Sequence, residues 1–240
     1  FSWAYCAALE SLTGTTPSPR ACALRALALE RERIANHLGD LGGIGNDAGF
    51  AFGLTQFSSL KEQLLRRNAQ VFGQRYLFNV VVPGGVTCDL PTDVMPTLLG
   101  EIASMERSVR ELRAIYANHE GLQDRFLGAG RLTCDQARAL GAIGLAARAS
   151  GIAQDLRVNL PSPPYDQLAP KLVTRPEGDV AARVHVRFDE TLESLRLCRQ
   201  MLQTLPPGDL TIEIPAAPAG QFGLGLIEGW RGPVMVAPES

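Results

Sequence analysis

The sequence predicts a mainly α-helical protein, a helical bundle of about four long helices with a small β element near the C-terminus. Apolar residues recur three and four positions apart along four long stretches, as expected where one face of each helix packs on its neighbours. Near the C-terminus, two short apolar runs flank a glycine-bounded turn, a pattern typical of two paired strands. We interpret residues 1–240 as a single domain.

The first long helix is predicted to begin near Ala21, after Pro17 and Pro19, and to end at Gly42-Gly43. Its apolar stripe consists of Leu24, Leu27, Ala28, Ile34, Leu38 and Leu41. Charged residues are expected on its other sides: Arg25, Glu32, Arg33 and Asp40.

Three further helices follow from the same periodicity. The second is predicted from about Thr55 to Phe72. The third has the clearest apolar seam, made of Leu98, Ile102, Met105, Val109, Leu112 and Tyr116. The fourth uses Val180, Val184, Phe188, Leu192, Leu195 and Leu202.

Irregular stretches separate these helices. Residues 79–91 form a short β-like run broken by a Pro-Gly-Gly turn. Residues 150–170 are rich in proline and long for a connection, which indicates either a functional segment or a linker. The last stretch predicts a strand, a tight turn around Gly229–Gly232 and a second strand.

Composition excludes several classes of protein. A net charge of −2 over 240 residues argues against a nucleic-acid binder, which would carry a basic face. No apolar run approaches the roughly 20 residues of a membrane span. The cysteines are odd in number and widely spaced, which predicts reduced, buried thiols rather than disulfides or a zinc site. They are Cys6, Cys22, Cys88, Cys134 and Cys198.

The chain contains three histidines. His37 fits either a proton relay or a hydrogen-bonded structural residue, and the second interpretation is favoured. His119 lies at a predicted helix end, as a cap or as a charge interacting with the helix dipole. His185, which shares a helix with Arg183 and Arg187, is expected in solvent.

Other polar residues show little sign of a familiar site. GIGNDAGFAFG has neither the glycine spacing of a dinucleotide fold nor a phosphate loop, which disfavours nucleotide binding. Asp155 and Arg157 are expected to pair and fix their loop, in preference to binding a ligand. Arg231 lies in the turn EGWRG between two apolar strands, where packing does not explain an arginine. A fixed guanidinium there could orient an anion, a proton donor or a metal-bound ligand.

Six stretches, taken together, resemble one known family. In chain order they read LERERIANHLGDLGGIGNDAGFAFG, VVPGGVTCDLP, SGIAQDLR, PPYDQL, GDVAARVHVRFDETLESLRL and PPGDL. They are similar to the large subunit of membrane-associated NiFe hydrogenases, and equally to its descendant, the quinone-site subunit of respiratory complex I. The resemblance runs in family order over essentially the whole chain.

Two stretches resemble the formate-hydrogenlyase or hydrogenase-4 branch in particular. They are NHLGDLGGIGNDAGFAFG and IEGWRG, where complex I subunits tend to read EAPKG. Complex I subunits also place a His six residues before the Pro of the PGG turn. Leu77 occupies that position here, with Arg75 kept two residues earlier.

The resemblance implies a catalytic subunit whose Ni–Fe centre is held by four thiolates from two CxxC pairs. It implies heterolytic splitting of H2, electron transfer to iron–sulfur clusters in a small partner subunit, and membrane-arm partners on the inner, cytoplasmic face of the membrane. Arg231 matches the family's arginine above the open metal site and is the catalytic candidate. The cofactor-binding candidates are His37, Asp40 and Arg75. In complex I descendants, the equivalent cavity hosts a quinone headgroup.

Neither CxxC pair occurs in these residues, and no cysteine of the chain matches a ligand position, so no metal ligand is predicted. The mid-helix start without Met favours an internal piece of a longer subunit over a divergent relative that lost its metal. We therefore expect the central part of a formate-hydrogenlyase-type large subunit, inactive in isolation. Two alternatives stay open. One is a complex I-type NADH–quinone oxidoreductase subunit without nickel, and the other is a redox-inert scaffold.

Overall fold

The computed structural model describes residues 1–240 and confirms a mainly helical protein. The helices are α1 (Ser2–Thr13), α2 (Pro19–Asp47), α3 (Ala51–Phe72), α4 (Met95–Asn118), α5 (Glu120–Phe126), α6 (Cys134–Ala139), α7 (Gly144–Ala149), α8 (Leu156–Asn159), α9 (Tyr165–Leu168) and α10 (Val180–Gln203). The strands are β1 (Val81–Val82), β2 (Gly85–Val86), β3 (Gly225–Glu228) and β4 (Pro233–Val236). The predicted bundle of about four long helices is therefore only part of an architecture with ten helices.

Helix α2 lies at the centre of the molecule. It packs on α3 and α10, and α10 in turn packs on α4. One large apolar core joins these four helices and contains the whole predicted seam of α4. The periodicity of the sequence thus identified the faces that form the core.

The end of α2 differs from the prediction, because the helix continues past Gly42-Gly43 to Asp47. A Cβ on Gly42 would lie 3.2 Å from the Cβ of Phe57 in α3, and a Cβ on Gly45 would lie 2.1 Å from the Tyr116 hydroxyl of α4. These glycines allow neighbouring helices to approach closely rather than ending α2. Helix α3 likewise begins earlier than predicted, at Ala51.

Two small antiparallel hairpins complete the fold. Strands β1 and β2 flank Pro83-Gly84, and Gly84 has a φ of 81° that favours glycine. Strands β3 and β4 pair in the register Leu226 with Met235 and pack on α1, which confirms the predicted strand–turn–strand. The proline-rich stretch 150–170 contains α8 and α9 and packs on the helices through the buried Tyr165, so it is not a free linker.

All five cysteines are free thiols. Cys6 and Cys198 are buried, as predicted, whereas the other three are partly exposed because they lie near helix ends and in turns. Burial raises the pKa of Cys6 to about 11. Among the helices, none has an apolar stretch of the length and hydropathy that a membrane crossing requires.

Replacing Gly45 by Ala should destabilise the fold. The new methyl group would collide with the Tyr116 hydroxyl, which donates a 2.9 Å hydrogen bond to the Leu41 carbonyl and cannot move without losing it. We expect a loss of about 2 kcal/mol in unfolding free energy, a usual cost of overpacking, measured by urea denaturation. Gly43→Ala is the matched control, because nothing lies within 4 Å of a Cβ there. It should gain about 0.5–1 kcal/mol from helix propensity, and equal stability of the two variants would contradict the close packing.

Candidate functional site

Helix α2 carries an unusual number of buried polar side chains. Five of its arginine, glutamate and histidine side chains are at most 1% exposed: Arg25, Glu30, Arg31, Arg33 and His37. Two of these, Arg25 and Arg33, belong to the residues expected on the other sides of the apolar stripe, and both are buried. Because an unpaired buried charge costs several kcal/mol, partners must come from elsewhere in the chain.

Glu190 of α10 is the partner of Arg33. Its Oε2 accepts a 2.8 Å hydrogen bond from Nη2 of Arg33, and its Oε1 accepts one of 2.6 Å from Nε of Arg148 in α7. Burial raises the pKa of Glu190, but His37, Arg33 and Arg148 outweigh it and hold that pKa well below its usual range. Glu190 is therefore a carboxylate that joins α2, α7 and α10.

The same cluster extends into the C-terminal hairpin through Glu228 at the end of β3. Arg148 donates from Nη1 to Oε1 of Glu228 (2.7 Å), and the backbone N–H of Leu156 donates to its Oε2 (3.1 Å). Arg33 donates from Nη1 to the carbonyl oxygens of Gly229 (2.6 Å) and Glu228 (3.2 Å). The interior of the bundle is thus bonded directly to the turn that follows β3.

A second buried cluster surrounds Glu30. Its carboxylate accepts hydrogen bonds from Arg157 (3.0 Å), the Tyr165 hydroxyl (2.7 Å) and the Ser194 hydroxyl (2.5 Å). Arg157 also pairs with Asp155 at 2.7 Å, which confirms the expected ion pair. The bonds from Arg157 and Tyr165 to Glu30 attach the 150–170 stretch to α2.

Arg231 lies in the turn between β3 and β4 and is exposed. Its guanidinium stacks over the Trp230 ring, 4.2 Å from the centroid, instead of pairing with a carboxylate. The turn is closed by hydrogen bonds between Gly229 and Gly232 in both directions (2.8 and 3.2 Å). A fixed turn therefore presents a cation whose charge is not neutralised by the chain.

A cavity of about 310 Å³ opens beside the N-terminus of α1. Its wall is mainly apolar and includes Trp3, Leu77 and Ile227, with Asn36 and Arg75 among its polar residues. This volume lies at the lower end of those found for small-molecule sites.

The structure does not bring the three cofactor-binding candidates together. Arg75 lines the cavity and pairs with Glu62 at 2.7 Å. Asp40 pairs with Arg187 at 3.1 Å, away from that cavity. His37 is fully buried, with Nε2 3.0 Å from Glu190, and neither ring nitrogen makes a hydrogen bond of good geometry.

The other two histidines have structural positions. His119 caps α5, with Nδ1 accepting from the Leu122 N–H at 3.2 Å, so the capping interpretation is confirmed. His185 is half-buried rather than solvated, because it lies in a narrow cleft between α10 and α4 that Arg113 also lines. Burial, together with Arg175 and Arg113, lowers its pKa.

Sequence reasoning did not identify Glu190, Arg148 and Glu228 as site residues. They lie on three separate elements, and each has the local sequence of a surface charge. The only sequence signal was the density of charges in LERER next to a strong apolar stripe.

No group of three or more His, Cys, Asp or Glu side chains is arranged to hold a metal ion. The residues of this chain therefore do not fit a Ni–Fe centre, whose chemistry requires a set of soft thiolate ligands.

The family profile described as "Respiratory-chain NADH dehydrogenase, 49 Kd subunit" matches residues 47–221. The chain belongs to this family. It is part of the superfamily of complex I and NiFe-hydrogenase large subunits, as the sequence resemblance predicted.

Members of this family with different names resemble the chain about equally. The carbon monoxide-induced hydrogenase of Rhodospirillum rubrum is 33% identical over 90% of the chain. An NADH-quinone oxidoreductase subunit of Clostridium beijerinckii is 32% identical over 88%, and formate hydrogenlyase subunit 5 of Escherichia coli is 32% identical over 96%. The chain spans 61%, 57% and 41% of these three proteins, respectively.

A solved structure shows the same fold. It is the membrane-bound sulfane sulfur reductase, an archaeal respiratory membrane complex, with a TM-score of 0.90 over 97% of this chain and 65% of that chain. Its sequence identity is 24%, so the likeness concerns the fold alone.

His37 should make the stability of this family member decrease as the pH falls below 6.5. Burial, with Arg33 and Arg187, lowers the pKa of His37 below 6.5 despite the opposing effect of Glu190. Below pH 6.5 the unfolded chain therefore binds a proton at His37 more readily than the folded chain does. The unfolding free energy consequently decreases as the pH falls below 6.5. His37→Gln should flatten this decline by ~1 kcal/mol, measured by urea unfolding at pH 7 and pH 5.

Asn118→Gln is the control, since this exposed asparagine of α4 does not titrate. This variant should keep the wild-type pH dependence of stability. An identical decline in the His37 variant and the wild type would contradict the assignment.

Proposed function

We propose that the chain forms the helical core of the catalytic large subunit of a membrane-associated NiFe hydrogenase of the formate-hydrogenlyase type, with Arg231 as its catalytic residue. The observation that carries this proposal is the Arg231 turn. A guanidinium stacked on an indole, on a turn bonded to the core, is pre-organised and not neutralised by a carboxylate. The similarity to two hydrogenase-related proteins over at least 90% of the chain supports the same function.

In this function the chain's own residues supply the surroundings of the reaction, not the metal ligands. A Ni–Fe centre would supply the site at which H2 is split, and no residue of this chain is proposed as its ligand. Arg231 offers a fixed positive charge and N–H donors toward charge that develops in the reaction. Such a pre-organised cation stabilises the transition state because it does not have to reorient during the reaction.

The proposed partners are an iron–sulfur small subunit and membrane-arm subunits, at the cytoplasmic face of the membrane. The similarity to formate hydrogenlyase subunit 5, a protein named as one subunit of an enzyme, supports an assembly with partner subunits. Exposed Tyr76 and Phe78, whose rings lie 6.0 Å apart beside the cavity, form an apolar surface suited to a subunit contact.

Arg231→Ala in the assembled complex should lower the rate of H2 oxidation by about 100-fold or more, the usual effect of removing one pre-organised charge. Nickel content and subunit composition should stay at wild-type levels. Arg231→Lys keeps the charge but loses the fork of donors, and should be intermediate. Arg138→Ala is the control, because that exposed arginine makes only a 3.9 Å contact with Asp135. Full activity of Arg231→Ala would exclude the catalytic role.

A second function is favoured by the cavity, namely a complex I-type subunit that binds a quinone without nickel. An apolar cavity of about 310 Å³ with Asn36 and Arg75 in its wall suits a flat ring with polar oxygens. The similarity to an NADH-quinone oxidoreductase subunit supports this alternative as well.

Asn36→Trp should separate the two functions, because a bulky ring there fills the cavity. If the protein reduces quinone, this variant should weaken binding of decylubiquinone about tenfold, measured by titration of the assembled complex. Asn118→Trp is the matched control: each asparagine donates to the carbonyl four residues earlier, but Asn118 is exposed and far from the cavity. Unchanged quinone affinity in Asn36→Trp would exclude the quinone function. Full redox activity of both the Arg231→Ala and Asn36→Trp variants would exclude both functions and favour the remaining alternative, a redox-inert scaffold.

A further inference from the structure

The guanidinium of Arg33 connects the core to the turn that carries Arg231, the catalytic candidate. Its guanidinium is fully buried in the middle of α2. One nitrogen bonds to Glu190 at 2.8 Å, and another bonds to the Gly229 carbonyl at 2.6 Å. The fork of donors on one side chain thus spans α10 and the first residue of the Arg231 turn.

A second path reaches the same turn from the opposite direction. Arg148 bonds to both Glu190 (2.6 Å) and Glu228 (2.7 Å), and Glu228 is the residue before Gly229. Arg33, Glu190, Arg148 and Glu228 therefore close a ring, which we call the ion ring. All four residues are at most 2% exposed.

A third contact holds the other side of the turn. Gly144, at the start of α7, has a φ of 60°, and a Cβ on it would lie 1.8 Å from the Arg231 carbonyl oxygen. The N–H of Leu145 donates to that oxygen at 3.4 Å. The backbone is therefore held both before and at Arg231, while its guanidinium is left without a carboxylate partner.

Stability alone does not require such a ring. Replacing buried ion pairs by apolar side chains of similar volume is often neutral or stabilising, so their value lies elsewhere. We propose that Arg33 is a positioning residue for Arg231, acting through the ion ring and the Gly229 carbonyl. This inference rests on the proposed catalytic role of Arg231.

Lysine at position 33 separates charge from geometry. It keeps a positive charge near Glu190, but one ammonium group cannot reproduce the guanidinium's simultaneous bonds to Glu190 and to two backbone carbonyls. The turn then keeps its contacts with Arg148 and Leu145 but loses those with Arg33, so the position of Arg231 becomes less tightly fixed. A displacement of about 1 Å in a catalytic group is enough to lower a rate by about 100-fold.

The experiment is a double-mutant cycle on the H2 oxidation rate of the assembled complex. The variants are Arg33→Lys, Arg231→Ala and the combination of both. Arg33→Lys should lower kcat about tenfold or more while KM for H2 and nickel content stay near wild type. Independently of activity, amide hydrogen exchange at Gly232, whose N–H bonds to the Gly229 carbonyl, should become faster in Arg33→Lys and stay unchanged in Arg31→Lys. In the Arg231→Ala background the same substitution should change kcat less than about twofold, because a positioning residue has no effect once its target is absent.

Arg31→Lys is the matched control. Arg31 is an equally buried arginine on α2, but it bonds to Asn68 and Glu101 and makes no bond to the turn. It should lower kcat by less than about twofold in either background. Glu228→Gln breaks the ion ring from the other side and should show the same dependence on Arg231 as Arg33→Lys.

The outcomes separate this inference from the proposed function. Full activity of Arg231→Ala overturns both. If Arg231→Ala lowers kcat, but adding Arg33→Lys to that variant lowers kcat about tenfold further, the positioning role alone is overturned. Wild-type kcat in Arg33→Lys also overturns it. Failure of both Arg33→Lys and Glu228→Gln to assemble with nickel would assign the ion ring to folding and overturn the positioning role.

Discussion

The paired burial of charge along α2 is the constraint on which the rest of the structure depends. Removing one member of a buried ion pair typically costs about 3–5 kcal/mol, so Arg33 and Glu30 cannot enter the core unless their partners arrive together. Those partners lie more than 100 residues away in sequence, in α8 and α10. The central helix therefore has one acceptable arrangement of neighbours, since a shift of register would leave several charges unpaired.

The same constraint explains how a short hairpin and two short helices are stabilised at the edge of a helical protein. A two-stranded hairpin is only marginally stable in water. Here the β3–β4 hairpin packs on α1, receives two hydrogen bonds from Arg33 and contributes Glu228 to the ion ring. Its turn is consequently part of the core's bonding, even though Arg231 itself is exposed. The short helices α8 and α9 are held in a similar way through Arg157 and Tyr165.

Features that depend on residues close together in the sequence could be predicted from it, whereas features that depend on distant residues could not. The apolar seams of α2, α4 and α10 follow from helical periodicity, and the strand–turn–strand follows from its glycines, so these elements were predictable. The end of α2 was not, because a glycine that ends a helix and a glycine that lets Tyr116 approach have the same local sequence. Arg33, Glu190, Arg148 and Glu228 were also beyond local patterns, since each looks like a surface charge until the fold brings them together. The Asp155–Arg157 pair was predictable because its two members are neighbours in sequence.

The ion ring and the turn also contribute differently to a fold that relatives with different names share. Relatives named as hydrogenase and as quinone oxidoreductase are about equally similar to this chain, so the fold alone does not select a reaction. The four side chains of the ion ring are at most 2% exposed, so the ring bonds to the backbone of the turn without being open to a substrate. In the two functions proposed above, the residues that would face a substrate are Arg231 on the turn and Leu77, Asn36 and Arg75 in the cavity wall. Arg231 is exposed, the three cavity residues are half-buried, and none of the four belongs to the ion ring, so a substitution at any of them removes no bond of the ring.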